Sequence, residues 1–302
     1  MRQHLPSLVA TGFLLTGALL CSACVLRAAP RGDEPTPARE AKTVEIPVVT
    51  PSDLPTPPAV GNAVRIGGEA EGDLVAGGTH FYRAGRCRID TPLPEGYPPP
   101  TAPGAIEIKH YPGARRAEVS GDHSPDLASN FAFFRLFEHI QEREIAMTSP
   151  VEMDYEPSEG ESSEGEPETG WTMSFLYRTP TMGETGEAGY VTVVDRPAVV
   201  VLSIGVRGGY GSRQVLPRID DLHAWVEKLD GWEAAGPPRG LYYNGPNVPS
   251  RDRWVEAQLP IRRVVEAKDD AERETKDAAP APAASGREVF LSEDDGAEAR
   301  PR

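Results

Sequence analysis

Between about residues 105 and 262 the hydrophobic and polar positions keep changing rhythm, and each rhythm predicts an element. In Ile106-Glu-Ile-Lys-His-Tyr-Pro112 the period is two, so His110 shares the strand face that Ile106 and Ile108 tend to bury. This strand is expected to run to about Val119. Ser124 then has the chemistry of an N-cap and Pro125 that of a first helical turn. Leu127, Phe131, Phe134 and Phe137 follow at helical spacing, with Phe133, Leu136 and Ile140 widening the apolar face. The strand period returns in Ile145-Ala-Met-Thr-Ser-Pro-Val-Glu-Met153. Ile145, Met147, Val151 and Met153 fall on one face, Thr148, Glu152 and Asp154 on the other, and Pro150 marks an edge or bulge. Trp171, Met173, Phe175 and Tyr177 alternate in the next strand.

The second half repeats this order. Ala198 to Val206 is a β-branched apolar run. Leu216, Ile219, Leu222, Val226 and Leu229 mark a helix ending near Asp230-Gly231, and Pro217 suits its first turn. Gly240 to Asn244 and Arg253 to Leu259 supply two further strands. The pattern predicts an α+β fold of two β-α-β-β repeats, whose antiparallel strands curve into one barrel-like sheet with two packed helices.

The flanks are different in kind. Met1 to His4 is short and basic, Leu5 to Leu20 is apolar, and no acidic residue occurs before Asp33, which is the pattern of an export signal. Cys24, preceded by Ser22 and Ala23, reads as the lipidated residue of a bacterial lipoprotein, although Cys21 stands where such signals usually carry Leu. Ordinary cleavage near Ala28-Ala29 is the plainer alternative. The expected organisation is a signal over residues 1–24, a Pro-rich tether over 25–58, an N-terminal extension over 59–104, the domain over 105–265 and an acidic disordered tail over 266–302. Either reading of the leader takes the protein out of the cytoplasm into the cell envelope, and a monomer is expected there.

Charge narrows the partners. Of the net −15, most comes from Glu156 to Glu168, with six acidic and no basic residues, and from residues 266–302, with eleven acidic against six basic. No basic stripe is present to neutralise phosphates, which argues against nucleic acid. With the leader removed, Cys87 stands between Arg86 and Arg88 without a base nearby in sequence. The sequence holds no C-x-x-C-H, Gly-rich phosphate loop, H-E-x-x-H or G-x-S-x-G, so no catalytic residues are assigned and the protein is not expected to be an enzyme.

The residues that stand out are Glu107-Ile-Lys-His-Tyr-Pro112, the Phe-rich helix ending near Phe137-Glu-His-Ile140, and the I-x-M-T-x-P-V strand from Ile145. In this order they resemble the SOUL haem-binding protein family, over about Ala105 to Arg262. The resemblance implies the barrel-like architecture and non-covalent binding of haem or a related tetrapyrrole. His110 is placed like the histidine proposed as an axial haem ligand in some vertebrate SOUL proteins, and it is the expected metal ligand here. Phe131, Phe134, Met147 and Met153 would wall the porphyrin, Arg116, with Arg115 and Arg135, would meet its carboxylates, and His139 would be a second ligand. Each also has a plainer reading: a strand histidine, core packing, solvated arginine and a helix C-terminal histidine. Curved β-α-β-β pairs also serve bacterial effector-binding domains, so other amphipathic small molecules are the alternative ligands. An envelope scaffold is the third reading.

The leader generates its own test. Expressed in a bacterial host, the full chain should fractionate with membranes and incorporate labelled fatty acid, and Cys24→Ser should abolish the label. Label persisting in that variant would exclude Cys24.

Overall fold

The computed structural model describes residues 39–264, apart from residue 55 and residues 122–124 and 162–166. The leader, Cys24, Ser124, the centre of the acidic loop and the acidic tail lie outside the described residues. In chain order the elements are β1 (Arg39–Thr43), β2 (Ala63–Gly68), β3 (Leu74–Gly78), β4 (Tyr82–Ala84), β5 (Cys87–Ile89), β6 (Ala105–Tyr111) and β7 (Ala114–Gly121). There follow α1 (Pro125–Glu142), β8 (Val151–Glu161), β9 (Pro167–Leu176), β10 (Gly186–Ala188), β11 (Val191–Arg196) and β12 (Val199–Arg207). The last are α2 (Ser212–Val226), β13 (Trp232–Ala234), β14 (Arg239–Tyr242) and β15 (Trp254–Arg263).

Two helices pack on one large antiparallel sheet, so the fold class is α+β. The sheet has eleven strands in the order β10-β11-β7-β9-β8-β14-β15-β12-β6-β2, with β13 added to β15. It is open at β10 and β2 and forms no closed barrel. On one side β7, β9 and β8 are neighbours and α1 links β7 to β8. On the other side β12, β15 and β14 are neighbours and α2 follows β12. A second sheet, β1-β3-β4-β5, is built from the N-terminal residues.

Three expectations need correction. The strand expected from Ile106 to Val119 is two strands, broken at Pro112-Gly113. Proline has no N–H for a ladder, and here β6 leaves to pair with β12 and β2 while β7 pairs with β9 and β11. Residues 145–150 are irregular, and the ladder starts at Val151, after Pro150. The second helix begins at Ser212, behind Gly211 at φ +96°, a value that favours glycine, and carries Pro217 inside it. The loss of one N–H is tolerated because Val215, Leu222 and Val226 bury the helix.

Part of the stretch expected to be tether is structured. Residues 39–58 pair β1 with β3 and send Leu54 into the apolar core, where its carbonyl accepts a hydrogen bond from Trp232 Nε1 at 3.1 Å. Residues 59–104 supply β2 to the large sheet and β3, β4 and β5 to the small one.

Strand alternation divides the large sheet into two unlike faces. On β15, Val255, Ala257, Leu259 and Ile261 join the core beneath the helices, whereas Trp254, Glu256 and Gln258 turn away from it. α1 packs on β7, β9 and β11, and α2 on β12, β13, β14 and β15. Burying each Leu or Ile side chain in that layer contributes roughly 1.5–3 kcal/mol. The opposite face is buried too, but it is charged: Glu107, Lys109, Arg116, Glu118, Glu152, Arg239 and Glu256 all lie within it.

Lys109 and Glu256 are fully buried there, with Lys109 Nζ 3.1 and 3.0 Å from the two Glu256 oxygens. Glu256 also accepts from Thr101 N (2.8 Å), Tyr243 OH (2.6 Å), Ser203 Oγ (2.7 Å) and Gln258 Nε2 (2.7 Å). Burial alone would push its pKa up, but the Lys109 ammonium and the Tyr243 and Ser203 hydroxyls hold it below the usual carboxylate value. For Glu107 burial wins over Lys109, and its pKa is raised.

This packing sets the stability of fragments and of two variants. A fragment of residues 39–264 should unfold cooperatively, and a fragment starting at 59 should lose about 2–4 kcal/mol in urea titration, from the burial of one Leu and one hydrogen bond together with β1. Equal stability of the two fragments would show that residues 39–58 are a passive tether. Lys109→Ala strands a buried carboxylate and should cost about 3–5 kcal/mol. With its pKa lowered on folding, Glu256 contributes stability that is complete above its unfolded value, about 4.3, and is lost as pH falls through the folded value. Glu107 acts in the opposite sense, contributing stability below its unfolded pKa that is lost as pH rises. The acid limb of the wild-type stability curve should therefore be steeper than that of Glu256→Gln.

Candidate functional site

The inward stripe of α1 is Ala132, Phe133, Leu136, Phe137 and Ile140, packed on the apolar sheet face. Phe133 stands edge-on to Phe175 with centroids 5.0 Å apart and stacks on Phe137 at 6.1 Å. That stripe turns Phe131 and Phe134 outward, where they are 60% and 68% exposed. As placed, the two rings do not line an enclosed pocket wall. Residues at i, i+3 and i+4 share a helix face, so Arg135 lies beside Phe131. Its guanidinium carbon sits 4.7 Å from the Phe131 centroid and 4.1 Å from that of Tyr190, in the turn joining β10 to β11. Tyr190 is 73% exposed.

The same hairpin supplies a groove of about 560 Å³ past the C-terminal end of α1, lined by Arg143, Ile145, Tyr177, Met182, Glu184 and Glu187 among others. Near it, His139 is only 3% exposed, and its Nε2 lies 2.8 Å from the Tyr177 hydroxyl. Burial and the Arg143 charge lower its pKa, so the imidazole is neutral. Its Nδ1 is sealed, with no hydrogen-bond partner among the described residues. In this geometry neither ring nitrogen of His139 is open to a metal ion. Arg115 frames the groove, donating to both Asp195 carboxylate oxygens at 2.8 and 2.9 Å and to the Gly183 carbonyl at 2.7 Å.

The other residues singled out in the sequence do not meet at this surface. His110 lies on β6, on the helix-facing side with Ile106 and Ile108, but it is separated from β9 by β8, β14, β15 and β12. It is half-buried, with Nδ1 2.9 Å from the Pro58 carbonyl. A proton on Nδ1 satisfies that carbonyl and leaves the lone pair on Nε2, the tautomer that can ligate iron. Met153 is 4% exposed within the core, and Met147 is half-buried against it, so neither faces the exposed rings as part of a wall. Arg116 lies on the opposite sheet face. It donates to Glu118 at 2.5 Å and to Glu152 and Asp154 at 2.7 Å each, which leaves it unsuited to porphyrin carboxylates.

Cys87 is buried, and burial pushes its thiol up to about 11, so the flanking arginines do not activate it. Among the described residues no three His, Cys, Asp or Glu side chains group as a metal site. The sequence reading passed over Tyr190, which only the β10–β11 pairing brings to Arg135. It also passed over the 182–188 segment. Its glycines and charges look like any surface loop.

A model of the SOUL heme-binding protein family matches residues 99–257. No curated protein matches the chain. Among solved structures, EcmrR in its DNA complex aligns at 16% identity and a TM-score of 0.43, over 53% of this chain and 57% of that one, so the chain spans little more than half of that protein. The EcmrR C-terminal domain aligns at 17% identity over 53% of this chain and 98% of that chain, with a TM-score of 0.40. An uncharacterised conserved protein from Listeria innocua aligns at 13% identity over 54% and 94%, with a TM-score of 0.42. The family match covers more than half of the residues and the whole path from the segment before β6 into β15, and on that ground the chain belongs to the SOUL heme-binding protein family.

Proposed function

We propose that this is an exported, lipid-anchored, monomeric SOUL-family protein that binds haem or a related tetrapyrrole non-covalently and catalyses no reaction. The observation that carries the reading is the exposed aromatic surface of Phe131, Phe134 and Tyr190 with the Arg135 guanidinium against two of the rings. A porphyrin is a flat apolar ring with carboxylates at one edge. Rings in solvent gain by covering its faces, and a guanidinium pairs with a carboxylate through charge-assisted hydrogen bonds. The adjoining groove is within the size range of small-molecule sites. Anchoring and export rest on Leu5 to Leu20 and Cys24. In this reading the units around α1 and α2 are the two β-α-β-β repeats, curved into a barrel-like surface.

The described residues do not fit an axially ligated iron at this surface. His139 is sealed and bonded to Tyr177, and His110 belongs to the other half of the sheet. The affinity is therefore assigned to the ring and its carboxylates. Charges of both signs in the groove, Arg143 with Glu184 and Glu187, favour other amphipathic small molecules as the second reading.

Titration of the full chain with haemin and with iron-free protoporphyrin, followed by the Soret band and by intrinsic fluorescence, tests the proposal. Both should bind with similar affinity. Phe134→Ala should weaken both by about ten- to a hundredfold, the loss of roughly 1.5–3 kcal/mol of ring burial. His110→Ala should leave both spectra unchanged. Binding of haemin alone, abolished by His110→Ala and indifferent to Phe134→Ala, would move the site to β6, and binding of neither compound would refute the reading.

A further inference from the structure

Across the charged face of the large sheet runs Thr91 to Gly104, a strap containing Pro92, Pro94, Pro98, Pro99, Pro100 and Pro103. It is fastened at both ends. Near its start the Pro92 carbonyl accepts from Ser149 N at 2.9 Å, and Glu95 N donates to the Arg178 carbonyl at 2.9 Å. Near its end Thr101 N donates to Glu256, the Thr101 carbonyl accepts from Trp254 Nε1 at 2.7 Å, and Gly104 N donates to the Gly205 carbonyl at 2.8 Å. The approach at this end requires glycine, since a Cβ on Gly205 would lie 2.2 Å from the Ala102 carbonyl oxygen. Between the fastenings the strap offers the sheet few donors. Pro98, Pro99 and Pro100 have none, and Tyr97 N turns back to the Pro94 carbonyl at 3.3 Å.

What the middle of the strap does offer is one ring. Tyr97 stands edge-on to Tyr111 at 4.9 Å. Around Tyr111 the sheet keeps polar capacity that the strap does not use. Arg239 Cζ is 5.0 Å from the Tyr111 centroid and its Nη1 is 3.5 Å from Glu152 Oε1, while Ser174 pairs with Glu152 across β8 and β9. Glu152 Oε1, Arg239 Nη2 and Ser174 Oγ are buried and have no hydrogen-bond partner among the described residues. A carboxylate oxygen in need of a donor thus lies beside a guanidinium nitrogen in need of an acceptor, next to an aromatic platform.

We infer that residues 96–100, between the fastenings, are a lid over a second small-molecule site, and that this site takes an aromatic amino-acid amide or a compound of that class, with Tyr97 as its built-in occupant. The ligand ring replaces Tyr97 on Tyr111, its amine donates to Glu152 Oε1, and its carbonyl accepts from Arg239 Nη2. Gly96, at positive φ, and the Thr101 fastening bound the moving segment. The site is on the sheet face away from α1 and does not depend on tetrapyrrole binding.

Hydrogen exchange of the full chain, with and without 10 mM L-phenylalaninamide, tests this. In the wild type the Gly96 and Tyr97 amides should exchange at least tenfold faster than those in β15, and L-phenylalaninamide should accelerate them further by trapping the open lid. Tyr97→Ala, which removes the competing ring, should bind L-phenylalaninamide at least tenfold more tightly by calorimetry, and adding Glu152→Gln should cancel that gain. Strap amides that exchange only as fast as β15, unaffected by the probe, would overturn the lid in the wild type, whether or not the variants fold. Equal affinity of Tyr97→Ala and wild type would overturn the site.

Discussion

A carboxylate without water must find its donors in the protein, and Glu256 finds them on five segments of the chain. Lys109 comes from β6, Ser203 from β12, Gln258 from its own strand, Tyr243 from just beyond β14 and Thr101 from the strap. The low dielectric that makes this pair strong also makes it intolerant of loss, since either partner alone would be a buried, uncompensated charge. The middle of the large sheet and the path of the N-terminal residues are tied to this one group.

The sheet faces divide the labour. Beneath the helices the packing is apolar and close, and it takes one stripe of each helix, which sends Phe131 and Phe134 of α1 outward. The residues that distinguish α1 chemically are therefore those its packing rejects. On the other face the N-terminal residues and the strap cover charge instead of grease, and Glu152, Arg239 and Ser174 remain incompletely bonded under the cover. The exposed aromatic surface and the covered polar one are different kinds of surface, and the same eleven strands support both.

Much of the fold was legible because strand and helix periods are local. The strands around Trp171, Ala198 and Arg253, both helices and the α+β class follow from alternation that a few neighbouring residues impose. The errors lie where a local signal was overruled. Pro217 sits inside a helix because tertiary packing outweighs one lost hydrogen bond. Pro112-Gly113 separates two strands that belong to different parts of the sheet. The proline-rich stretch before residue 59 reads as a spacer, yet Leu54 packs into the core against Trp232.

The candidate site was less legible, for a physical reason. Residue type and period determine that Phe131 and Phe134 lie on α1, that His110 shares a face with Ile106 and Ile108, and that Glu152 and Arg116 occupy strands. Which strands become neighbours depends on long-range pairing, and a one-dimensional pattern contains no distance between β6 and β9. Only the tertiary structure could separate His110 from the aromatic surface, enclose Arg116 among three carboxylates, bring Tyr190 to Arg135 and lay Tyr97 against Tyr111. By itself the sequence determined the elements and the two chemistries of their faces, because these are properties of adjacent residues. The register and order of the strands decided which residues form a site, because cross-strand packing and the pairing of buried charge are properties of the whole sheet.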